Sequence, residues 1–245
     1  FGGNVIDEMS MEVRMTITNM VVEAGATSGM MPVDMETINY SHLALTREHG
    51  RNKGFDYYSL ENLEKYNSDP DALYSQTISI DVTGMEPCTT INYSPADVGS
   101  VRSVVGKPVH QVYIGSCTNG RIEDLRIAAG VFRELGGTIN KNVRCIIVPA
   151  TQHIYDMALK EGLIGIFRKA GCYVSGPTCG ACLGMSCGVL APGEVCVSTT
   201  NRNFPGRMGK GGMVHLVSPA TAAYTAISGS ITDPSRALCE KAIEF

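Results

Sequence analysis

Three cysteines spaced Cys117-x61-Cys179-x2-Cys182 carry the strongest chemical signal in this chain. Each stands among glycines, in Gly115-Ser116-Cys117-Thr118-Asn119-Gly120 and in Gly176-Pro177-Thr178-Cys179-Gly180-Ala181-Cys182-Leu183-Gly184. Thiolates are soft ligands suited to iron–sulfur clusters and zinc, and a Cys-x2-Cys pair can bring two sulfurs to one metal centre. The glycines predict a backbone able to approach a bulky inorganic group and turn sharply around it. Three thiolates on a four-iron cube leave one iron open to water or substrate. Read alone, the pair also fits a zinc ribbon edge, a thioredoxin-like redox pair or two buried thiols. A structural zinc wants four ligands, which Cys187 or His153 could complete. A redox pair opens a helix after a strand, whereas Pro177 and Gly180 predict a loop. Cys88, Cys145, Cys172, Cys196 and Cys239 read as buried small hydrophobes.

A second constellation is Thr200-Asn201-Arg202-Asn203-Phe204-Pro205-Gly206-Arg207, directly after a predicted strand. The planar guanidinium donates two parallel hydrogen bonds to a carboxylate, so Arg202 and Arg207 could grip a substrate carrying two of them. In isolation the segment equally fits a solvated loop. Gly209-Lys210-Gly211-Gly212 lacks the hydroxyl residue and spacing of a phosphate loop, which argues against nucleotide binding there. A third pair, Asn19 and Glu23, stands four residues apart on a predicted helix, an arrangement able to orient a water but common on helix surfaces.

The elements that must position these groups are legible in outline. Ser10 predicts an N-cap for a helix to about Ala24, stopped by Gly25, with Val13, Ile17, Met20, Val21 and Ala24 as its apolar face. A polar, tyrosine-bearing stretch from His49 to Tyr74 reads as surface helix and connector, and Pro87 and Pro95 bracket an extended segment. Strand and helix then alternate. Val112-Tyr113-Ile114 is a short strand, Ile122 to Phe132 a helix ended by Gly136-Gly137, and 143–148 a strand stopped by Pro149. Residues 154–170 read as helix interrupted by Gly162, and 173–175, 195–198 and 213–217 as strands. Ser218-Pro219 opens a helix over 220–227. This alternation predicts an α/β domain with a largely parallel sheet, whose sites lie beyond the carboxyl ends of strands.

With 245 residues, 44% of them apolar and 18% charged, the chain is long and apolar enough for a substantial core. A formal charge of -4 with no basic stripe argues against nucleic acid. No apolar run approaches a membrane span, and no signal peptide is visible. Nine cysteines in so large a chain suit a reducing cytoplasm better than a disulfide scaffold. The chain opens Phe1-Gly2-Gly3 without methionine, the expectation being a fragment of a longer polypeptide.

Taken together, Ser116-Cys117-Thr118-Asn119, Cys179-Gly180-Ala181-Cys182-Leu183-Gly184 and Asn201-Arg202-Asn203-Phe204-Pro205-Gly206-Arg207 resemble the aconitase family. Thr18-Asn19-Met20-Val21-Val22-Glu23-Ala24-Gly25-Ala26-Thr27 resembles a further segment of the same family, so the likeness runs through nearly the whole chain in the family's order. The resemblance implies layered α/β/α iron–sulfur domains, with residues 1–100 ending a first subdomain and leading through a connector into a cluster-binding domain over 101–245. It implies a [4Fe–4S] cluster on Cys117, Cys179 and Cys182, and substrate carboxylates on Arg202 and Arg207. Asn19 and Asn201 would lie beside the cluster, with Glu23 bonded to the hydroxyl or water at the open iron.

The implied activity is that of a hydro-lyase on 3-isopropylmalate or a related 2-hydroxy dicarboxylic acid in leucine biosynthesis. Homoaconitase and 2,3-dimethylmalate dehydratase activities are close alternatives, and a zinc-stabilised binding module without catalysis is an alternative of another class. In the family a serine base and further arginines come from a swivelling small subunit or domain. Nothing here matches it, so a partner chain is expected. The family's upstream Asp-Ser-His motif is also missing. The expectation is therefore the later part of a large subunit, inactive by itself.

Overall fold

In the computed structural model, residues 1–41 and 64–235 are described, and the chain divides into two units, Phe1–Gly84 and Met85–Phe245. Most of the tyrosine-bearing stretch from His49 to Tyr74, and Cys239, lie outside the described residues.

The first unit opens with a short turn, α1 (Asn4–Asp7), followed by α2 (Met11–Met20). The Ser10 hydroxyl accepts from Val13 N, as the cap reading predicts. Beyond Met20 the helix tightens into a 3₁₀ turn over Val21–Ala24, and Gly25 ends it at φ 83°. The face that α2 buries differs from the expected one: Val13 is 41% exposed, whereas Arg14 is 1% exposed. The reason is polar. Arg14 donates through Nε to Met9 O (3.0 Å) and through Nη2 to Asp7 O (3.2 Å) and the Asp34 carboxylate (2.7 Å). These partners offset much of the cost of burying the guanidinium, although Nη1, also buried, has none. The Arg14 hydrogen bond in turn holds the Asp34 carboxyl below its usual range.

In the second unit, β1 (Cys88–Thr90) and β2 (Val98–Ser100) form an antiparallel hairpin that starts just after Pro87 and carries Pro95 in its connecting loop. Five further strands follow: β3 (Gln111–Gly115), β4 (Arg144–Val148), β5 (Tyr173–Val174), β6 (Val195–Ser198) and β7 (Met213–Leu216). They form one parallel sheet in the order β5-β4-β3-β6-β7. The hairpin, read from sequence with the connector, rests on β7, where Leu216 N donates to Thr90 Oγ1 at 2.8 Å and His215 Nδ1 to Thr90 O at 2.7 Å.

The helices are α3 (Ser116–Asn119), α4 (Ile122–Leu135), α5 (Gln152–Lys160), α6 (Leu163–Lys169) and α7 (Pro219–Ser228). Gly162, at φ 75°, separates α5 from α6, and the Ser218 hydroxyl caps α7 by accepting from Thr221 N. Strand alternation divides the core into two layers. Val112, Ile114, Cys145, Ile147 and Val197 pack with Leu125, Ala158, Phe167 and Ala223 of α4 to α7. Tyr113, Ile146, Val148 and Cys196 face the other way, onto Ala181, Cys182, Leu190 and Met208 of the connecting loops. Each fully buried aliphatic or Phe side chain contributes about 1.5–3 kcal/mol. The fold is the α/β architecture that strand–helix alternation predicts. Among the described residues no helix is long and apolar enough to cross a membrane.

Strand order locates the crevice. From β3 the chain steps outward through β4 to β5, then returns to the opposite side of β3 as β6. The switch point therefore lies between β3 and β6, at whose carboxyl ends a parallel sheet opens to ligands.

Candidate functional site

Cys117 lies in the turn that leaves β3 at this switch point. Two glycines make the turn possible, and for a reason other than the predicted one. A Cβ on Gly115, at φ 135°, would stand 2.0 Å from Val148 O, and one on Gly120 2.4 Å from the same carbonyl. The turn is folded tightly under the end of β4 and is closed by Ala150 N donating to Gly120 O at 2.9 Å. Between the glycines, Ser116 is held at φ 86°, and its buried hydroxyl has no hydrogen-bond partner. A non-glycine residue in the left-handed region costs about 1–3 kcal/mol and is characteristic of functional turns.

Thr199, the first residue after β6, ties the two strand ends together. Its hydroxyl accepts from Gly115 N (2.9 Å) and donates to Asn119 O (3.3 Å), while Asn119 Nδ2 donates to Thr199 O. The Cys117 turn and the Asn201 segment are thereby held at one end of the sheet, with the Cys117 side exposed.

Cys179 precedes a single 3₁₀ turn, Gly180–Leu183, so the pair does not open a helix as a redox pair would. The Tyr113 hydroxyl, rising from the middle of β3, donates to Cys179 O at 3.1 Å. Burial, then the nearby Cys182, Cys179 and Cys196, push the Tyr113 phenol far above its usual range, which keeps it a neutral donor. Gly180 and Gly184 face protein here, whereas a Cβ on Gly176 would meet nothing within 4 Å. A Cβ on Gly180 would meet Tyr113 Oη at 3.0 Å, and one on Gly184 would meet Arg207 O at 2.7 Å. Cys179 is exposed and Cys182 buried.

Arg207 reaches that buried sulfur. Its Nη2 lies 3.8 Å from Cys182 Sγ, its guanidinium stacks 5.2 Å from the Phe204 ring centroid, and its buried Nε has no hydrogen-bond partner. Asn201 is buried and Arg202 half-buried, both immediately beyond β6. Asn203 Nδ2 anchors the segment on Val214 O at 2.7 Å. Asn19 and Glu23 belong to the first unit, in the last turn of α2 and in the 3₁₀ turn respectively. The tightening at Val21 changes the angle between them from that of an unbroken α-helix.

Among the described residues no three His, Cys, Asp or Glu side chains gather closely enough to hold one metal ion. A mononuclear zinc therefore finds no ligand set there, and Cys187 and His153 complete none. Thiolates on a cubane each take a different iron and stand wider apart than the ligands of one ion. Two exposed thiols, a buried third beside a guanidinium, and unpartnered buried groups at Ser116 Oγ and Arg207 Nε fit such a cluster.

Of the remaining cysteines, Cys145, Cys172 and Cys196 are buried as expected, but Cys88 is exposed. It starts an edge hairpin and donates to Glu86 O at 3.2 Å. The glycine run at 209–212 is a packing device. A Cβ on Gly209 would lie 2.1 Å from Leu190 O, and Leu190 N donates to Met208 O at 2.7 Å. Tyr113 and Thr199 hold these motif segments in place, and motif reading passed over both. The one available signal was a hydroxyl-bearing Tyr in the middle of an otherwise aliphatic strand.

The family model for the aconitase family (aconitate hydratase) matches residues 1–108 and 102–229. The chain belongs to the aconitase family. It is 55% identical over 239 residues to the 3-isopropylmalate dehydratase large subunit of Geobacter sulfurreducens, covering 97% of this chain and 54% of that protein. The large subunits of the same name from Geotalea uraniireducens and Clostridium kluyveri are 52% and 47% identical over 238 and 235 residues. These alignments cover 97% and 96% of this chain and 54% and 52% of the relatives. The chain thus spans about half the length of the curated relatives it matches. As an aconitase-family chain it carries the cysteine motifs and the arginine segment in segments that follow the carboxyl ends of β3, β5 and β6.

Proposed function

We propose that this chain is the cluster-bearing part of a large subunit whose reaction is the dehydration and rehydration of 3-isopropylmalate or a related 2-hydroxy dicarboxylic acid, in leucine biosynthesis. Family membership supports the reaction class, and the contact of Arg207 with Cys182 carries the reading. A guanidinium, the natural partner of a carboxylate, lies 3.8 Å from one of the three thiols.

Cys117, Cys179 and Cys182 would hold a [4Fe–4S] cluster. When bound, the cluster supplies a Lewis-acidic iron that eases departure of hydroxide from the substrate. Arg202 and Arg207 bind the substrate carboxylates and stabilise charge that builds as the neighbouring carbon loses its proton. Asn201, buried just beyond β6, would lie beside the cluster, as the family resemblance implies. By the family resemblance, Asn19 and Glu23 of the first unit would serve the same reaction, with Glu23 holding or releasing the proton of the departing or returning water. A small subunit contributes the base and the surface that packs on the alkyl group of the substrate. The free thiols suit a reducing cytoplasm.

Co-expression with the amino-terminal half of a family large subunit and with a small subunit, followed by anaerobic reconstitution, tests this. About four irons and four sulfides per chain are expected, together with isomerisation of an alkylmalate. Arg202→Lys and Arg207→Lys should each raise KM. One zinc per chain without sulfide would overturn the reading, and turnover by the 245-residue chain alone would overturn the need for partners.

A further inference from the structure

The segment leading out of the first unit carries an unclaimed β-strand pattern. In Thr77-Ile78-Ser79-Ile80-Asp81-Val82, apolar and polar residues alternate strictly, which places Ile78, Ile80 and Val82 on one face of an extended chain. That face is bare. Ile78 is 72% exposed, Ile80 75% and Val82 37%, and Leu73 just upstream is 99% exposed. Residues 73–82 form no regular element, and among the described residues 73–86 make no backbone-to-backbone hydrogen bond.

The first unit as a whole shows the same deficit. Its only buried hydrophobic side chain among the described residues is Ile38, and both hydrophobic clusters lie in the second unit. So few buried apolar groups among the described residues of this unit offset little of the entropy of ordering them, which favours packing on a further partner. An uncovered apolar strand is also a template for edge pairing.

We propose that residues 77–82 form a β-strand that adds to a sheet of the amino-terminal half of a family large subunit. The relatives identify this occupant, because the chain matches their carboxy-terminal half and spans only 54% of the Geobacter sulfurreducens protein. Backbone pairing would satisfy the open N–H and C=O groups, and Ile78, Ile80 and Val82 would enter that half's core. The inference needs no cluster and is independent of the catalytic reading.

Hydrogen–deuterium exchange on the 245-residue chain tests it, measured alone and co-expressed with the amino-terminal half of the G. sulfurreducens large subunit. Amides of 77–82 should exchange freely in the chain alone and at least about tenfold more slowly in the complex. The double substitution Ile78→Asp, Ile80→Asp should abolish co-purification while leaving the circular dichroism of the chain unchanged, since both side chains are exposed. Unchanged co-purification of that variant, or unprotected amides in the complex, would overturn the proposal. So would protection that rises with concentration of the chain alone, which would identify a second copy as the occupant. If the amino-terminal half does not fold when expressed separately, the intact G. sulfurreducens subunit gives the same readout. Slow exchange of its homologous stretch is expected, and fast exchange there would overturn the proposal.

Discussion

Tyr113 in β3 and Cys179 in the loop after β5 are joined by one hydrogen bond, from the phenol to the backbone carbonyl at 3.1 Å. The sheet thereby sets the position of the Cys-x2-Cys turn directly. Cys179 is exposed and its turn is a single 3₁₀ segment, so the loop has little regular structure of its own to hold it. The Tyr113→Phe substitution removes this anchor and leaves the carbonyl unmatched. It should cost about 1–2 kcal/mol in urea unfolding. In reconstituted protein it should also quicken loss of the cluster's visible absorbance, whereas an anchor irrelevant to the turn would leave that rate unchanged.

Gly115 and Gly130 should respond to alanine in opposite directions. A Cβ at Gly115 collides with Val148 O at a positive φ, and backbone atoms on both sides cannot give way. We expect a loss of about 4 kcal/mol or failure to fold. Gly130 lies inside α4, where an added Cβ would meet nothing within 4 Å, so Gly130→Ala should stabilise by about 1 kcal/mol. Thermal unfolding of the two variants beside the parent protein checks both signs.

Asp124 makes stability depend on pH. Its carboxylate accepts from Arg121 N at 2.9 Å in the cap of α4, yet burial pushes its pKa up to about 6. The folded protein therefore holds this proton more tightly than the unfolded chain, whose carboxyl titrates near about 3.9. The stabilising contribution is complete below the unfolded value and is lost as pH rises through the folded one. Asp124→Asn keeps an acceptor for Arg121 N without the charge. The variant should gain stability relative to the parent as pH rises from about 4 to about 6, with the difference levelling off above. Urea midpoints at several pH values would show it, and a pH-independent difference would refute it.

Thiol labelling separates the cysteines by place. In the native chain without metal, iodoacetamide should modify Cys88, Cys117, Cys179 and Cys187, and spare Cys145, Cys172, Cys182 and Cys196. Burial also pushes the Cys196 thiol up to about 12, which removes its thiolate at neutral pH. Reconstitution with iron and sulfide should protect Cys117 and Cys179 while Cys88 and Cys187 stay reactive. Peptide mass spectrometry reads each site, and equal labelling of Cys117 before and after reconstitution would count against its role as a ligand.

Local sequence was enough for the five parallel strands and the longer helices of the second unit, though not for β2 or the short helix at Cys117. Caps and breakers act on the residues beside them, so Ser218-Pro219, Gly162 and the run Val112-Tyr113-Ile114 mark the same elements in sequence and in structure. Motif spacing likewise picked out the three thiols and the arginine segment. What depended on residues distant in the chain could not be read this way. The burial of Arg14 in place of Val13 needs Asp34 and the carbonyls of Asp7 and Met9. Gly115, Gly120, Gly180 and Gly184 pack against Val148, Tyr113 and Arg207, residues far away in sequence. Tertiary structure alone decided the strand order that opens a crevice between β3 and β6, and the approach of Arg207 to Cys182. Both arise from packing across the sheet, where the partners of a side chain are set by topology and not by its neighbours along the chain.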